Sequence, residues 1–146
     1  MAVDVLTDVA IDRSRELVAT YAADPAHAPA WYARIHSVAW ETDPPLRAGS
    51  RMTFVAHFLG NRLTYTYEVV DYDPGRRLVM RTAQGPFPME TTYTWADTPE
   101  GGTRMTLRNR GEPSGLGRIA APLVEAAIRR ANRADLARLK ELLETG

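Results

Sequence analysis

The side chains of this 146-residue chain that could carry chemistry are few and scattered. His27, His36 and His57 form no His-x-x-x-His pair and have no carboxylate at ligand spacing, so the sequence predicts no metal site and no bound cofactor. There is no cysteine, which excludes thiolate nucleophiles, disulfides and Cys-ligated metals. Ser14, Ser37, Ser50 and Ser114 fall at cap, strand or turn positions, and no Gly-x-Ser-x-Gly elbow exposes a serine for acyl transfer. Gly111, Gly115 and Gly117 lack the lysine and the βαβ unit of a phosphate-binding loop. What remains is polarising chemistry. Tyr65 and Tyr93 can donate to an enolate oxygen and Asn109 can orient a carbonyl, but a phenol with its ordinary pKa of about 10 is a poor base at neutral pH. Glu68 and Glu90 lie on the wrong strand parity to point inward, unless a bulge reverses it. Arg51 and Arg130 border the apolar face and read first as solvated rim charges.

The elements that must position these groups follow from periodicity and turn chemistry. Val3, Val5, Thr7, Val9 and Ile11 alternate with Asp4, Leu6, Asp8 and Ala10, which predicts a half-buried strand. Asp12 or Ser14 can cap a helix that ends at Asp24-Pro25, and a short helical turn follows through Ala30 to Tyr32. Strands are then predicted at 35–41, 51–59, 62–72, 77–84, 87–97 and 103–110. Gly60-Asn61, Asp73-Pro74-Gly75 and Gly101-Gly102 make tight reversals between them, so neighbouring strands are antiparallel. Pro113-Ser114-Gly115 ends the meander and supplies Ser114 as a cap for a helix from Leu116 to Glu144. Strand, two short helices, six strands and a long helix make an α+β domain whose seven-stranded antiparallel sheet needs cover on one face only.

Alternation also says which side chains meet that helix. Phe54 and Phe58, then Tyr65 and Tyr67, then Met80, Met89, Tyr93 and Asn109 fall on the inward parity, with Met52, Val69, Leu78, Thr91, Trp95, Met105 and Leu107. On the helix, an apolar arc runs through Leu116, Ile119, Ala120, Leu123, Val124, Ala127, Ile128 and Ala131, whereas Leu136, Leu139, Leu142 and Leu143 lie on a different side. The leucines are expected to lock the helix to the sheet, and the alanines to leave volume beneath it. Two readings stand: an ordinary core with tyrosine hydroxyls at its rim, or an internal pocket in which Tyr65, Tyr93 and Asn109 orient a mostly apolar ligand.

The element order resembles the helix-grip fold of the START-like (SRPBCC) superfamily, which includes polyketide cyclases/dehydrases and lipid-transfer proteins. Local segments carry the resemblance with it: Asp24-Pro25 and Trp31 after the first helix, Pro45-Leu46-Arg47-Ala48-Gly49-Ser50-Arg51 before a strand, and Val69 to Leu78 around the Asp73-Pro74-Gly75 turn. Gly101-Gly102-Thr103-Arg104-Met105-Thr106 and Asp135 to Lys140 complete it, over nearly the full length. The resemblance implies a curved sheet wrapped around the long C-terminal helix, with a cavity for a small hydrophobic molecule such as a lipid, polyketide or aromatic compound. The wall expected for it comprises Trp31, Phe54, Phe58, Tyr65, Tyr67, Met80, Met89, Tyr93, Asn109, Leu123, Ala127 and Ala131. Because the superfamily mixes enzymes with carriers, the resemblance names no reaction.

Composition narrows the partners. One domain spanning 1–146 is expected from the length. Eighteen basic residues balance eighteen acidic ones, so no net field draws the chain to nucleic acid or anionic lipid. No apolar run reaches the ~20 residues of a membrane span, and no signal peptide precedes the first strand, so a cytoplasmic protein is expected. Trp40, Val55 or Val79 on the open sheet face would suit a homodimer; otherwise the chain is a monomer. Three functions stay open: a binding or transport protein for a small hydrophobic molecule, favoured by the scarcity of inward titratable groups; a polyketide cyclase/dehydrase-like enzyme using pocket Tyr and Asn groups; and a protein-partner module of the co-chaperone or toxin kind. An inward carboxylate with a strongly shifted pKa would raise the second.

Overall fold

The structure is a computed structural model. It describes residues 3–58, 60–84, 88–111 and 117–145, with the side chains of all but Phe58 and residues 117–121. The order is β1 (Val3–Ile11), α1 (Arg15–Ala23), a 3₁₀ turn (Pro25–His27), α2 (Ala28–Trp31), β2 (Ile35–Trp40), β3 (Arg51–Phe58), β4 (Asn61–Asp73), β5 (Arg77–Gln84), β6 (Met89–Asp97), β7 (Thr103–Gly111) and α3 (Gly117–Thr145). Ser14 caps α1 by accepting from the Leu17 amide, and Asp24 caps the 3₁₀ turn by accepting from the Ala26 amide. The expected cap Ser114, the start of the long helix at Leu116, the Gly85-Pro86 break and Phe87 lie outside the described residues.

All seven strands form one antiparallel sheet in the order β1-β7-β6-β5-β4-β3-β2. The first two strands are therefore its opposite edges, and α1, the 3₁₀ turn and α2 carry the chain from one to the other. Tight turns set the register: Gly60 takes a φ of 79° and Gly75 a φ of 83°, the left-handed region open to glycine. Gly102 is held by a different constraint, since a Cβ there would meet the Ile11 carbonyl oxygen at 2.7 Å.

Period-two burial holds along β1, β6 and β7. In β4 the register shifts between Val69 and Asp71. Val69 is buried, Val70 is exposed, and Tyr72 rather than Asp71 packs on the core. A second shift between Ile35 and Ser37 turns both Ile35 and Val38 inward. The main core joins Trp31, Met52, Leu78, Trp95, Met105 and Leu107 to Leu136, Leu139 and Leu143 of α3, so the leucine-rich half of the helix is clamped as expected. A smaller cluster of Val3, Val5, Val124 and Ile128, with Met89 beside it, holds the other half. The buried stripe of α3 is thus Val124, Ile128, Asn132, Asp135, Leu136, Leu139 and Leu143.

That stripe corrects the expected arc, because Leu123 is 74% exposed. Counting back from Leu139 by three or four residues reaches Asp135, Asn132, Ile128 and Val124; Leu123 lies one position off, and the helix is oriented by its leucine half. The outer sheet face carries ion pairs: Arg108 grips Asp4, Arg104 pairs with Asp8, Arg81 with Glu90 and Arg51 with Glu68. Glu68 and Glu90 face out as their parity requires, and Arg51 belongs to that outer face, not to the pocket border. Trp40, expected on the open face, packs against the core.

Candidate functional site

The concave face of the sheet and α3 line a predominantly apolar, partly open cavity of about 160 Å³. An apolar cavity of roughly 150 Å³ admits a benzene-sized molecule. Phe54 and Ala56 come from β3, Tyr65 and Tyr67 from β4, Met80 from β5, Met89, Thr91 and Tyr93 from β6, and Asn109 from β7. Ile128, Ala131, Asn132 and Asp135 of α3 form the roof, and Tyr32, Arg34 and Ile35 close one side.

Of the wall expected from sequence, Phe54, Tyr65, Tyr67, Met80, Met89, Tyr93, Asn109 and Ala131 line this cavity. Trp31 is wholly buried behind it, its ring 4.1 Å from that of Tyr32 and 5.8 Å from that of Tyr93, so it fixes the orientation of two wall residues. Ala127 is half-buried outside the lining, and Leu123 points to solvent for the reason given above. The Phe58 side chain lies outside those described.

The polar groups fall into two sets. At one, Thr91 Oγ1 donates to Asn109 Oδ1 at 2.7 Å and lies 3.4 Å from the Tyr67 hydroxyl. That bond engages the carbonyl end of Asn109; orienting a ligand carbonyl, as the sequence suggests for this residue, would fall to its amide N–H end. At the other, the Tyr32 and Tyr93 hydroxyls hydrogen-bond to each other at 2.6 Å. Two hydroxyls carry two protons and their mutual bond uses one, so the pair has one proton left to donate. Burial raises both phenols well above their usual value, and both remain donors at any physiological pH. Burial likewise pushes Tyr65 up to about 12.

Asp135 is the residue that sequence reading missed. It is 4% exposed, lines the cavity, and accepts a hydrogen bond from the Ala33 amide at 3.0 Å. Burial raises its pKa to about 6, against the smaller opposing effects of that amide and of the nearby Arg34 guanidinium. The expectation that no carboxylate faces inward is therefore wrong. The carboxylate comes from the helix and not from the strands. The signal was present: counting back from Leu139 and Leu143 at helical spacing puts Asp135 and Asn132 in the apolar stripe. Tyr32, Arg34 and Ile35 were missed because they follow a four-residue helix with no periodicity to orient them.

Such a site can hold a mostly apolar molecule, donate to its oxygens, and offer one acid–base group poised near neutrality. Among the described residues no cluster of three or more His, Cys, Asp or Glu is placed to hold a metal, and no helix is long and apolar enough to cross a membrane.

A curved seven-stranded antiparallel sheet closed by one long C-terminal helix is the helix-grip, START-like fold. The chain belongs to the polyketide cyclase/dehydrase and lipid transport family, whose model matches residues 2–144. Among solved structures, it is similar to the Zhui aromatase/cyclase from Streptomyces sp. R1128, with a TM-score of 0.84, 18% identity, and 99% of this chain and 94% of that one covered. A Thermus thermophilus protein, TTHA0849, gives a TM-score of 0.81 at 22% identity, covering 94% of each chain. A START superfamily protein from Mycobacterium smegmatis gives 0.77 at 15% identity, covering 96% of this chain and 99% of that one. At these identities the likeness is one of fold. No curated protein matches the sequence.

Proposed function

We propose that this protein binds a small, mostly apolar molecule bearing a carbonyl group and catalyses proton transfer on it, as a cyclase or dehydratase does. The observation that carries the reading is Asp135, a buried carboxyl raised to about 6 in the wall of an apolar cavity. Placing a carboxyl there costs stability, and proton-transfer sites are where such a cost recurs. Membership of a family that includes cyclases and dehydrases supports it.

The chemistry balances on the protein's own groups. The Asp135 carboxylate takes the proton from the carbon next to the ligand carbonyl; the C–H electron pair moves into an enolate, whose oxygen accepts from the free proton of the Tyr32–Tyr93 pair. In a β-hydroxy ketone, the Asp135 acid then returns its proton to the departing hydroxyl, water leaves, and a double bond forms. In ring closure, the enolate carbon attacks a second carbonyl, which takes that proton. No oxidant or reductant enters.

Phenylacetone is a suitable probe, with an acidic carbon beside its carbonyl. Wild-type protein in D₂O is expected to speed deuterium uptake at that carbon, and Asp135→Asn to bind the ketone but leave uptake at the solvent rate, both followed by NMR. Binding without faster uptake in wild type would reduce the protein to a carrier, the reading that the apolar lining alone supports.

A further inference from the structure

We propose that Asn132 is the specificity-determining anchor of the cavity, its amide nitrogen holding a ligand oxygen that accepts a hydrogen bond: a ketone, ester or phenol oxygen. The inference rests on the ligand-binding half of the function proposed above and adds the chemistry by which the ligand is chosen.

Three buried side-chain polar atoms have no hydrogen-bond partner among the described residues: Trp31 Nε1, Trp95 Nε1 and Asn132 Nδ2. Of these three residues, Asn132 alone lines the cavity. It is 5% exposed, and an unanswered donor in such a place is destabilising. A donor like that is matched when an acceptor enters the cavity. Asp135, one helical turn on, does not supply the match, since the bond it makes is to the Ala33 amide. Residues three apart on a helix have their Cβ atoms roughly 5–6 Å apart. Asn132 and Asp135 therefore face one bound molecule side by side, one as a fixed neutral donor and the other as the group that moves a proton. An amide donor discriminates by what it leaves unpaired. A hydrocarbon of the same shape fills the cavity and leaves Nδ2 orphaned; a carbonyl oxygen satisfies it without introducing a charge into an apolar enclosure.

The test compares acetophenone with α-methylstyrene, in which a CH₂ group replaces the carbonyl oxygen at nearly the same shape. Affinities of both for wild type and for Asn132→Leu are measured by NMR titration. The preference for the ketone is expected to fall by about three- to tenfold in the variant, the size of one hydrogen bond. In wild type, acetophenone is expected to shift the Asn132 side-chain amide resonances and α-methylstyrene to leave them nearly in place, a readout that needs no variant. Binding of both probes with the same preference in wild type and variant, or equal shifts from both probes, would overturn the role of Asn132 and leave the cavity as a binding site. Failure of both probes to perturb cavity residues in wild type would overturn the binding function itself, and the anchor with it.

Discussion

Asp135 carries a cost that can be measured apart from any reaction. Its pKa rises from the ordinary 3.8 to about 6 on folding, so between those values the folded state holds a proton that the unfolded state has released. The stability from that proton is fully present below about pH 3.8 and is lost as pH rises through 6; at about 1.4 kcal/mol per unit the loss is about 2–3 kcal/mol. Asp135→Asn keeps an acceptor for the Ala33 amide and removes the titration. Urea unfolding is expected to show the variant more stable than wild type by about that amount at about pH 8, with the gap closing toward about pH 4. The Tyr32–Tyr93 bond is a second residue-scale test. Tyr93→Phe leaves the Tyr32 hydroxyl without its partner and is expected to cost about 1–3 kcal/mol, while the double Phe variant loses less than the sum of the two singles.

At the scale of elements, α3 shows what the sequence could and could not tell. Its existence and length were legible, as were the leucines that clamp it, because Leu136, Leu139 and Leu143 recur at helical spacing. Its orientation over the cavity was misread from Leu123, because hydrophobicity alone gives no credit to Asn132 and Asp135 for facing inward. Leu139→Ala is expected to destabilise by about 2–5 kcal/mol, since that side chain is fully buried. Leu123→Ser is expected to stay within about 0.5 kcal/mol of wild type in the same unfolding measurement. The strands were legible by period two and by their turns, so most of the cavity floor was too. The bulge at Val69 to Asp71 was not, because no glycine or proline marks it; it turns Tyr72 toward the core in place of Asp71.

For the whole molecule, the division of labour is between a charged outer sheet face and an apolar inner one. Surface pairs such as Arg104–Asp8 contribute little each, so the fold is held by its two apolar clusters, and the cavity lies where the sheet, α3 and the segment after α2 converge. That architecture was predictable from element order. The proposed reaction was not, because the family joins cyclases and dehydrases with lipid transport and the proposal rests on one carboxyl that the helix delivers. The direct measurement is therefore the rate of deuterium uptake into phenylacetone as a function of pH, with the Asp135→Asn rate subtracted as background. The rate is expected to rise through an inflection at about 6 and then level, as Asp135 loses its proton and becomes the base. A profile that coincides with that of Asp135→Asn at every pH, with the ketone bound in both, would contradict that role.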